Sequence, residues 1–498
     1  MEEKQLERKR SGETDRGKQN FLQRLRGINA CTPERLNYKV LFFACYAAYA
    51  CLYTFIPLYF KQLGLSASQT GILIGLRPLC QAIGAPFWGI LADKYKARKL
   101  VLLLGSTAWL IKNLLILAIR PSHEVCVAKP LSPGNQSQSL YAVAPSKDIA
   151  ILSISTATSI SHNKYKYFVQ VDNDELARIF YIFLALVLVG ELFGSIVHPL
   201  LDGCAVDYLG DERKSYGRIR LWGSVGMVIA NLMAGLLINH YVYHYCGQTR
   251  KDYATAFYLF AAFMGVTILL LFFVKIVYSE TPKQSLRDIK EVFNSRLKLS
   301  FWFVAIAFGM SGGFQGDFNS WFLDELNATS FQVGLAAALH FTTSALCYFA
   351  ANYFLEMFGY FKTIAVGMAC YCIVFICYSF THSPWVALAL FAVIGGVFAV
   401  TWTACVAYVG SISTAIGLGA AAQGILNGLF VGVGNGSGTM LGGLLVSKTG
   451  IRVAYRLFAA FLTLVMLLFL ACQWRGENND DKTSYRALPN KDEEDSNE

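Results

Sequence analysis

The sequence predicts an all-α membrane protein: twelve transmembrane helices in two six-helix pseudo-repeats, with both termini in the cytoplasm. Three observations carry this expectation. First, the 498 residues are 55% hydrophobic and only 15% charged, against about 25% charged in a soluble chain. Second, the apolar residues fall in long blocks. Val40 to Phe60 holds no charge between Lys39 and Lys61, and about 20 apolar residues cross a hydrocarbon core of ~30 Å. Third, a shift of 263 residues lays part of the second block on part of the eighth.

The blocks place spans at 40–60, 71–92, 100–119, 177–200, 221–240, 253–275, 299–322, 331–355, 363–381, 385–409, 421–446 and 453–473. The expected organisation is a cytoplasmic tail over 1–39, a first half over 40–277 and an outer loop within it over 120–174. A cytoplasmic linker over 278–298, a second half over 299–474 and an acidic tail over 475–498 follow. The first 36 residues are charged and lack an apolar stretch, so no cleavable signal peptide is expected. Phe21 to Arg26 reads as a short basic amphipathic stretch on the inner leaflet.

Orientation follows from the basic residues. The N-terminal tail carries ten Lys and Arg. Lys94, Lys96, Arg98 and Lys99 follow the second span, and Lys283, Arg287, Lys290, Arg296 and Lys298 follow the sixth. The loops after the seventh and ninth spans have none. The positive-inside rule therefore puts both termini in the cytoplasm. The net charge of +10 is explained by these flanks, so nucleic acid is not an expected partner. Two glycosylation sequons, at Asn135 and Asn327, fall in loops on the opposite side. Cys126 and Cys246 are the two cysteines in those outer loops, a candidate disulfide. The outer loop after the third span is polar and expected to have little packed core of its own. The remaining cysteines read as small core residues; no paired C-x-x-C spacing suggests a metal site, and no cofactor is expected.

The repeat is read as a duplication. Leu63 to Gly71 aligns with Leu326 to Gly334 without a gap; Asp93 then falls on Glu356 and Arg77 on His340. Two parallel six-helix halves imply a substrate cavity between them near the bilayer midplane, and rocking of the halves as the cycle.

Gly89-Ile-Leu-Ala-Asp93-Lys-Tyr-Lys-Ala-Arg98-Lys99 resembles the loop signature of the major facilitator superfamily, with Lys96 where that family usually has Gly. The second-half copy, Asn352 to Gly359 with Glu356, is degenerate. Pro57 to Gly64, Ala85 to Gly89, Tyr216 to Gly226 and Gln423 to Gly428 together resemble the animal major facilitator superfamily domain-containing protein 6 group. The resemblance implies the twelve-helix fold and says little about substrate. Tyr216 to Gly226 is also similar to the fifth helix of lactose permease, where the second Arg of the motif binds sugar with a helix-four carboxylate. The corresponding residues here are Arg220 and Asp202. The permease carboxylate is Glu, and its sugar-stacking aromatic falls on Met227. Headgroup-facing charges are the other reading of this pair.

Charges inside spans cost about 3 kcal/mol each on insertion scales and are functional candidates. Arg77 should face the bundle interior, with Glu191 the nearest counter-charge, as a substrate site or a structural lock. Asp317 lies in the glycine-rich stretch 312–318, where a broken helix would expose backbone to a cavity. Asp317 or His340 is the candidate carrier of a coupling proton. Lys112 and His198 receive no role. Asp93, with Gly89, Arg98, Lys99 and the second-half Glu356, is read as a conformational latch; a plain basic anchor is the alternative. Gly424, Gly428, Gly432 and Gly436 form a four-residue small-residue stripe for close, sliding helix packing. Gly223, Gly226, Ala230 and Ala234 form a weaker one on the fifth span.

The expected function is secondary active transport of a small solute by alternating access, with a proton as the candidate coupling ion. A monomer in the plasma membrane or an endomembrane is expected. The alternative is a transporter-like cell-surface receptor without transport. No G-x-x-x-x-G-K-[ST], H-E-x-x-H or G-x-S-x-G is present, so an ATP-driven motor and an enzyme are not expected.

Overall fold

The computed structural model describes residues 33–122, 124–130, 141–143, 165–210, 215–246, 248–277, 293–414 and 419–477. The stretch 21–26, the Asn135 sequon, linker residues 278–292 and tail residues 478–498 lie outside the described residues.

The chain is a bundle of long helices. The first pass is α1 (Pro33–Tyr53) and α2 (Ile56–Gln62), separated at Thr54 and Phe55. Pro57 causes that break, because it has no N–H to give the preceding turn. Then come α3 (Ala67–Lys94), α4 (Arg98–Ala118), α5 (Asn173–Gly194), α6 (Val197–Leu209), α7 (Tyr216–His240) and α8 (Ala254–Phe273). The later helices are α9 (Arg296–Glu325), α10 (Ser330–Phe380), α11 (Pro384–Thr414), α12 (Gly419–Asn427), a π-helical segment Gly428–Asn435, α13 (Gly436–Thr449) and α14 (Ile451–Glu477). Among the described residues, ten helical segments are long and apolar enough to cross a membrane. One of the ten is α10, which Gly359 (φ 71°, ψ 175°) breaks in two. The 28-residue α3, which holds Arg77, Pro78 and Pro86, is not among them.

Helices before residue 274 pack mainly on one another, α1 on α7 and α8, and α5 on α3 and α4. Those after residue 295 do likewise, α10 on α11 and α14, and α9 on the π segment and α13. The two groups meet through α7 on α10 and α3 on α13.

One local geometry occurs twice. Ser66 caps α3 and Thr329 caps α10, each in a capping box closed by a glutamine, Gln69 or Gln332. Two residues before each cap the backbone is left-handed, at Gly64 (φ 98°) and at Asn327 (φ 59°). Asn327 is exposed in this tight turn. Lys61 and Asp324, 263 residues apart like these caps, meet at 2.8 Å.

Four expectations need correction. The bundle is all-helical, but the outer loop is not without organised structure. β1 (Glu124–Pro130), β2 (Tyr141–Val143) and β3 (Tyr165–Val171) form an antiparallel sheet in the order β2-β1-β3. β4 (Val242–Tyr245) and β5 (Gln248–Lys251) form a hairpin. Both strands of the pair β1–β3 carry the β-branched and aromatic residues that strands favour, Val125 and Val127 in one and Tyr167, Phe168, Val169 and Val171 in the other. Second, α9 runs unbroken through 312–318; the irregular backbone is on the facing π segment. Cβ atoms at Gly309 or Gly313 would strike the backbone of Phe430 or Asn435. Third, the fifth-span helix does meet the second group, but Gly223 and Gly226 of its stripe pack within their own group. Gly226 faces Phe43 of α1 and Gly223 faces Tyr46, whereas α10 is met by Gly235.

The fourth correction concerns the stripe Gly424, Gly428, Gly432 and Gly436. Only the second half of the stripe, at the π segment and after it, packs closely. Gly432 meets Ala82, and Gly436 meets Leu79 and Gly75, all on α3. Gly424 and Gly428 have open space where a Cβ would stand.

Candidate functional site

A cavity of about 940 Å³ lies where the two helix groups face each other. Arg77, Glu191, Arg220, Asp317 and His340 all line it, as do Tyr46, Tyr49 and Trp109 on one wall and Phe398 and Trp402 on the other. Asp202 stands behind Arg220, 3.8 Å from its Nε.

Glu191, on α5, is the centre of one cluster. Its carboxylate accepts from Lys112 Nζ on α4, from Trp109 Nε1 at 3.0 Å and from Tyr53 OH at 3.2 Å. Arg77 Nε of α3 lies 3.5 Å away. Lys112 also donates to Tyr53 OH at 3.0 Å. The Arg77 guanidinium stacks 3.5 Å from the Tyr53 ring centroid and donates to Tyr49 OH at 3.0 Å. Glycines make room for this: a Cβ at Gly190 would overlap the Lys112 stem, and one at Gly194 the Trp109 ring. Glu191 and Lys112 are almost fully buried; Arg77 and Glu191 both line the cavity, and Arg77 is the most exposed of the three, with a side chain 12% exposed. Two cations thus share one carboxylate in a low-dielectric interior, which tolerates charge only when paired.

Asp317, on α9, faces the cavity from the other side. Its Oδ2 accepts from Thr439 Oγ1 of α13 at 2.6 Å. It makes no ion pair among the described residues. Arg220, on α7, lies 4.0 Å over the Tyr46 ring. His198 is enclosed by rings, stacked on Tyr46 at 4.5 Å and edge-on to Trp109 at 5.1 Å. His340 stacks on Phe391 of α11 at 4.4 Å, and its Nδ1 is 3.2 Å from the Phe391 carbonyl oxygen. It tethers α10 to α11 while showing its ring to the cavity.

Lys112, Tyr46, Tyr49, Tyr53, Trp109 and Trp402 are site residues that sequence reasoning passed over. A signal existed for the tyrosines. Tyr46, Tyr49 and Tyr53 recur at i, i+3 and i+7, which puts three hydroxyls on one helix face.

The basic loop forms a separate cluster. Arg98 Nε donates to Asp93 at 2.6 Å and Nη1 to Asp207 at 2.5 Å, joining the ends of α3, α4 and α6. Lys99 Nζ donates to the Phe272 carbonyl at the end of α8 at 2.7 Å. Gly89 lies 3.7 Å, measured from a Cβ, from Ile196. Glu356, the second-half counterpart of Asp93, is exposed.

At the opposite end the helix groups close. Asp324 binds Lys61 at 2.8 Å and Lys251 at 3.6 Å, and Lys251 also donates to the Ala328 carbonyl at 3.1 Å. A Cβ at Gly71 would stand 2.8 Å from Thr439 O, and one at Gly235 2.8 Å from Ser330 O. The Cys126–Cys246 disulfide joins β1 to the end of β4 at this same face, with Cα atoms 5.6 Å apart. The cavity is therefore sealed at the sheet end, while Gly217, Gly424 and Gly428 at the other end meet nothing within 4 Å of a Cβ.

Residues 35–457 match the MFS_1 like family. The major facilitator superfamily domain-containing protein 6-like protein of Danio rerio is 21% identical over 470 residues, covering 85% of each chain. Its Xenopus laevis counterpart, 6-like protein A, is 23% identical over 321 residues, covering 63% of this chain and 52% of that protein. The chain thus spans about half the length of the Xenopus relative. Among solved structures, the nucleoside transporter NupG aligns with a TM-score of 0.62 at 14% identity, over 89% of this chain and 99% of that one. At that identity the similarity is one of fold.

Proposed function

Because the chain belongs to the MFS_1 like family of the major facilitator superfamily, and is a multi-pass membrane protein with that fold, we propose that it is a secondary transporter of a small solute working by alternating access. The observation that carries this is a charged, aromatic cavity sealed at one end by glycine-tight contacts between the two helix groups and open at the other. Twelve passes follow if α3 spans the membrane and α10 does so twice, once on each side of Gly359. Residues 40–277 and 299–474 are then the two rocking halves, and the matched caps at Ser66 and Thr329 support their duplication. The basic end is cytoplasmic by the positive-inside rule. The disulfide end faces an oxidising compartment, in the plasma membrane or an endomembrane, and Asn135 and Asn327 are its glycan acceptors. The structure then represents the inward-open state, with Gly424 and Gly428 waiting to pack when the cytoplasmic end closes.

Arg77, Glu191, Arg220 and Asp202 act as substrate groups in this reading, and Asp317 is the coupling carboxylate, with His340 on the same cavity. Asp93, Arg98 and Lys99 hold the cytoplasmic ends of one half together, so that it moves as a unit; Gly89 lets α3 lie against α6, and Glu356 has a weaker version of this role. The unit is a monomer. The disulfide-tied outer sheets favour a second reading, a surface receptor that no longer moves solute.

The test is reconstitution. Solutes found by thermal stabilisation of the purified protein should exchange across proteoliposomes. Arg77→Gln should remove that exchange at unchanged surface level. Stabilising solutes that never cross the bilayer would leave the receptor reading.

A further inference from the structure

We propose that the solute is a small organic monoanion with a flat apolar body, carried together with one proton that neutralises Asp317. This rests on the transport reading above and gives it a substrate class.

Charge balance around the cavity leads there. Arg220 and Asp202 offset each other at 3.8 Å. Arg77 and Lys112 share the one carboxylate of Glu191, so this wall carries one positive charge in excess. Among the described residues its balance is Asp317 on the facing wall. The groups that act on Asp317 are few: Arg77 from α3, Tyr49 from α1 and the neutral Thr439 of the eleventh pass, with His340 from α10 and the neutral Asn435 lining the same cavity. From α14, Tyr455 packs on the Phe314 ring, with centroids 4.9 Å apart. α2 contributes Lys61, which is held by Asp324.

With Asp317 ionised the empty cavity is neutral overall. With Asp317 protonated it holds one net positive charge beside Arg77, which a monoanion cancels. Empty carrier and loaded carrier are then both neutral. That matters because a bare charge moved through the low-dielectric interior is costly. The Arg77 guanidinium is the exposed member of its cluster, and its planar donors suit a carboxylate. A cation bound at Asp317 would lie against Arg77 and be repelled. The rings of Tyr49, Trp109, Phe398 and Trp402 supply apolar faces for the body of the solute.

The proton moves from water to a free oxygen of Asp317 and leaves on the other side; no bond of the solute changes. One linked proton makes the anion bind about tenfold more tightly for each pH unit lowered while Asp317 is ionised in the empty protein.

The experiment uses the full chain in nanodiscs and two series matched in ring body and differing in charge: indole-3-acetate, indole-3-acetamide and tryptamine, and benzoate, benzamide and benzylamine. Binding is read by thermal stabilisation between pH 5.5 and 7.5, and proton uptake by a pH dye. A carboxylate should bind best in its series, tighten as pH falls, and take up one proton per molecule bound. Asp317→Asn should retain anion binding and lose both the pH slope and the proton uptake. Arg77→Gln should lose anion binding while eluting as a monodisperse peak. Equal binding of an amide, tighter binding of an amine, or no carboxylate preference at all overturns the anion assignment. Each of those outcomes leaves alternating access intact if spin-label distances at the two ends still exchange; fixed distances at both ends would remove the transport reading itself.

Discussion

Glu191 is the carboxylate on which two buried cations depend, so its neighbours are not equivalent. Glu191→Gln removes the carboxylate that Arg77 and Lys112 share, and should destabilise the fold by about 3–5 kcal/mol. Arg77→Gln leaves the Lys112–Glu191 pair whole, and should keep most of the melting temperature while abolishing transport. Tyr53→Phe removes a hydroxyl that bonds both Lys112 and Glu191, and should cost roughly 1–3 kcal/mol. Thermal melts of the three purified variants check this order. The positions of these charges are legible in the sequence, since any ionised group inside a span stands out. Their pairing is not: Lys112 and Glu191 are 79 residues apart on different helices, and nothing local to either reveals the contact. The tyrosines are legible only as a helical stripe, which in an apolar span resembles ordinary packing.

At the scale of the element, the glycines divide by which state they serve. Gly443→Val would drive its Cβ onto the Ala67 carbonyl and to 2.9 Å from Gly71 Cα. Overpacking of this kind costs about 1–3 kcal/mol, and here the two nearest clashes fall on the state closed at the sheet end. The variant should shift the population toward opening at that end, seen as longer label distances there. Gly424→Val meets open space in this state and should do the reverse, impeding closure of the basic end. The small-residue stripe itself is visible in the sequence, but the π segment within it, which lies against α9 at Gly309 and Gly313, is not. The outer sheets were hidden by the polar residues around them; the short valine-rich and aromatic runs at 125–127 and 167–171 are their one local sign. Cys126→Ser should free the β4–β5 hairpin and cost roughly 2–4 kcal/mol, visible as lower surface expression than for Cys377→Ser.

For the whole molecule, the 263-residue register is the feature best read in advance. It places equivalent caps at Ser66 and Thr329, and it brings Lys61 against Asp324, a residue against its own counterpart, as expected only beside a pseudo-two-fold axis. The order of packing between halves, α3 on α13 and α7 on α10, could not be read from periodicity, since every helix here is apolar on most of its circumference. The central claim is that these halves rock about the cavity. Spin labels at exposed positions test it directly: Tyr241 and Trp385 for the sheet end, Tyr95 and Met357 for the basic end. In nanodiscs, each pair should show a short and a long distance, and the populations should exchange in opposite directions when pH or a bound solute is changed. A single unchanging distance at both ends, across the whole pH range and every solute that binds, would contradict alternating access.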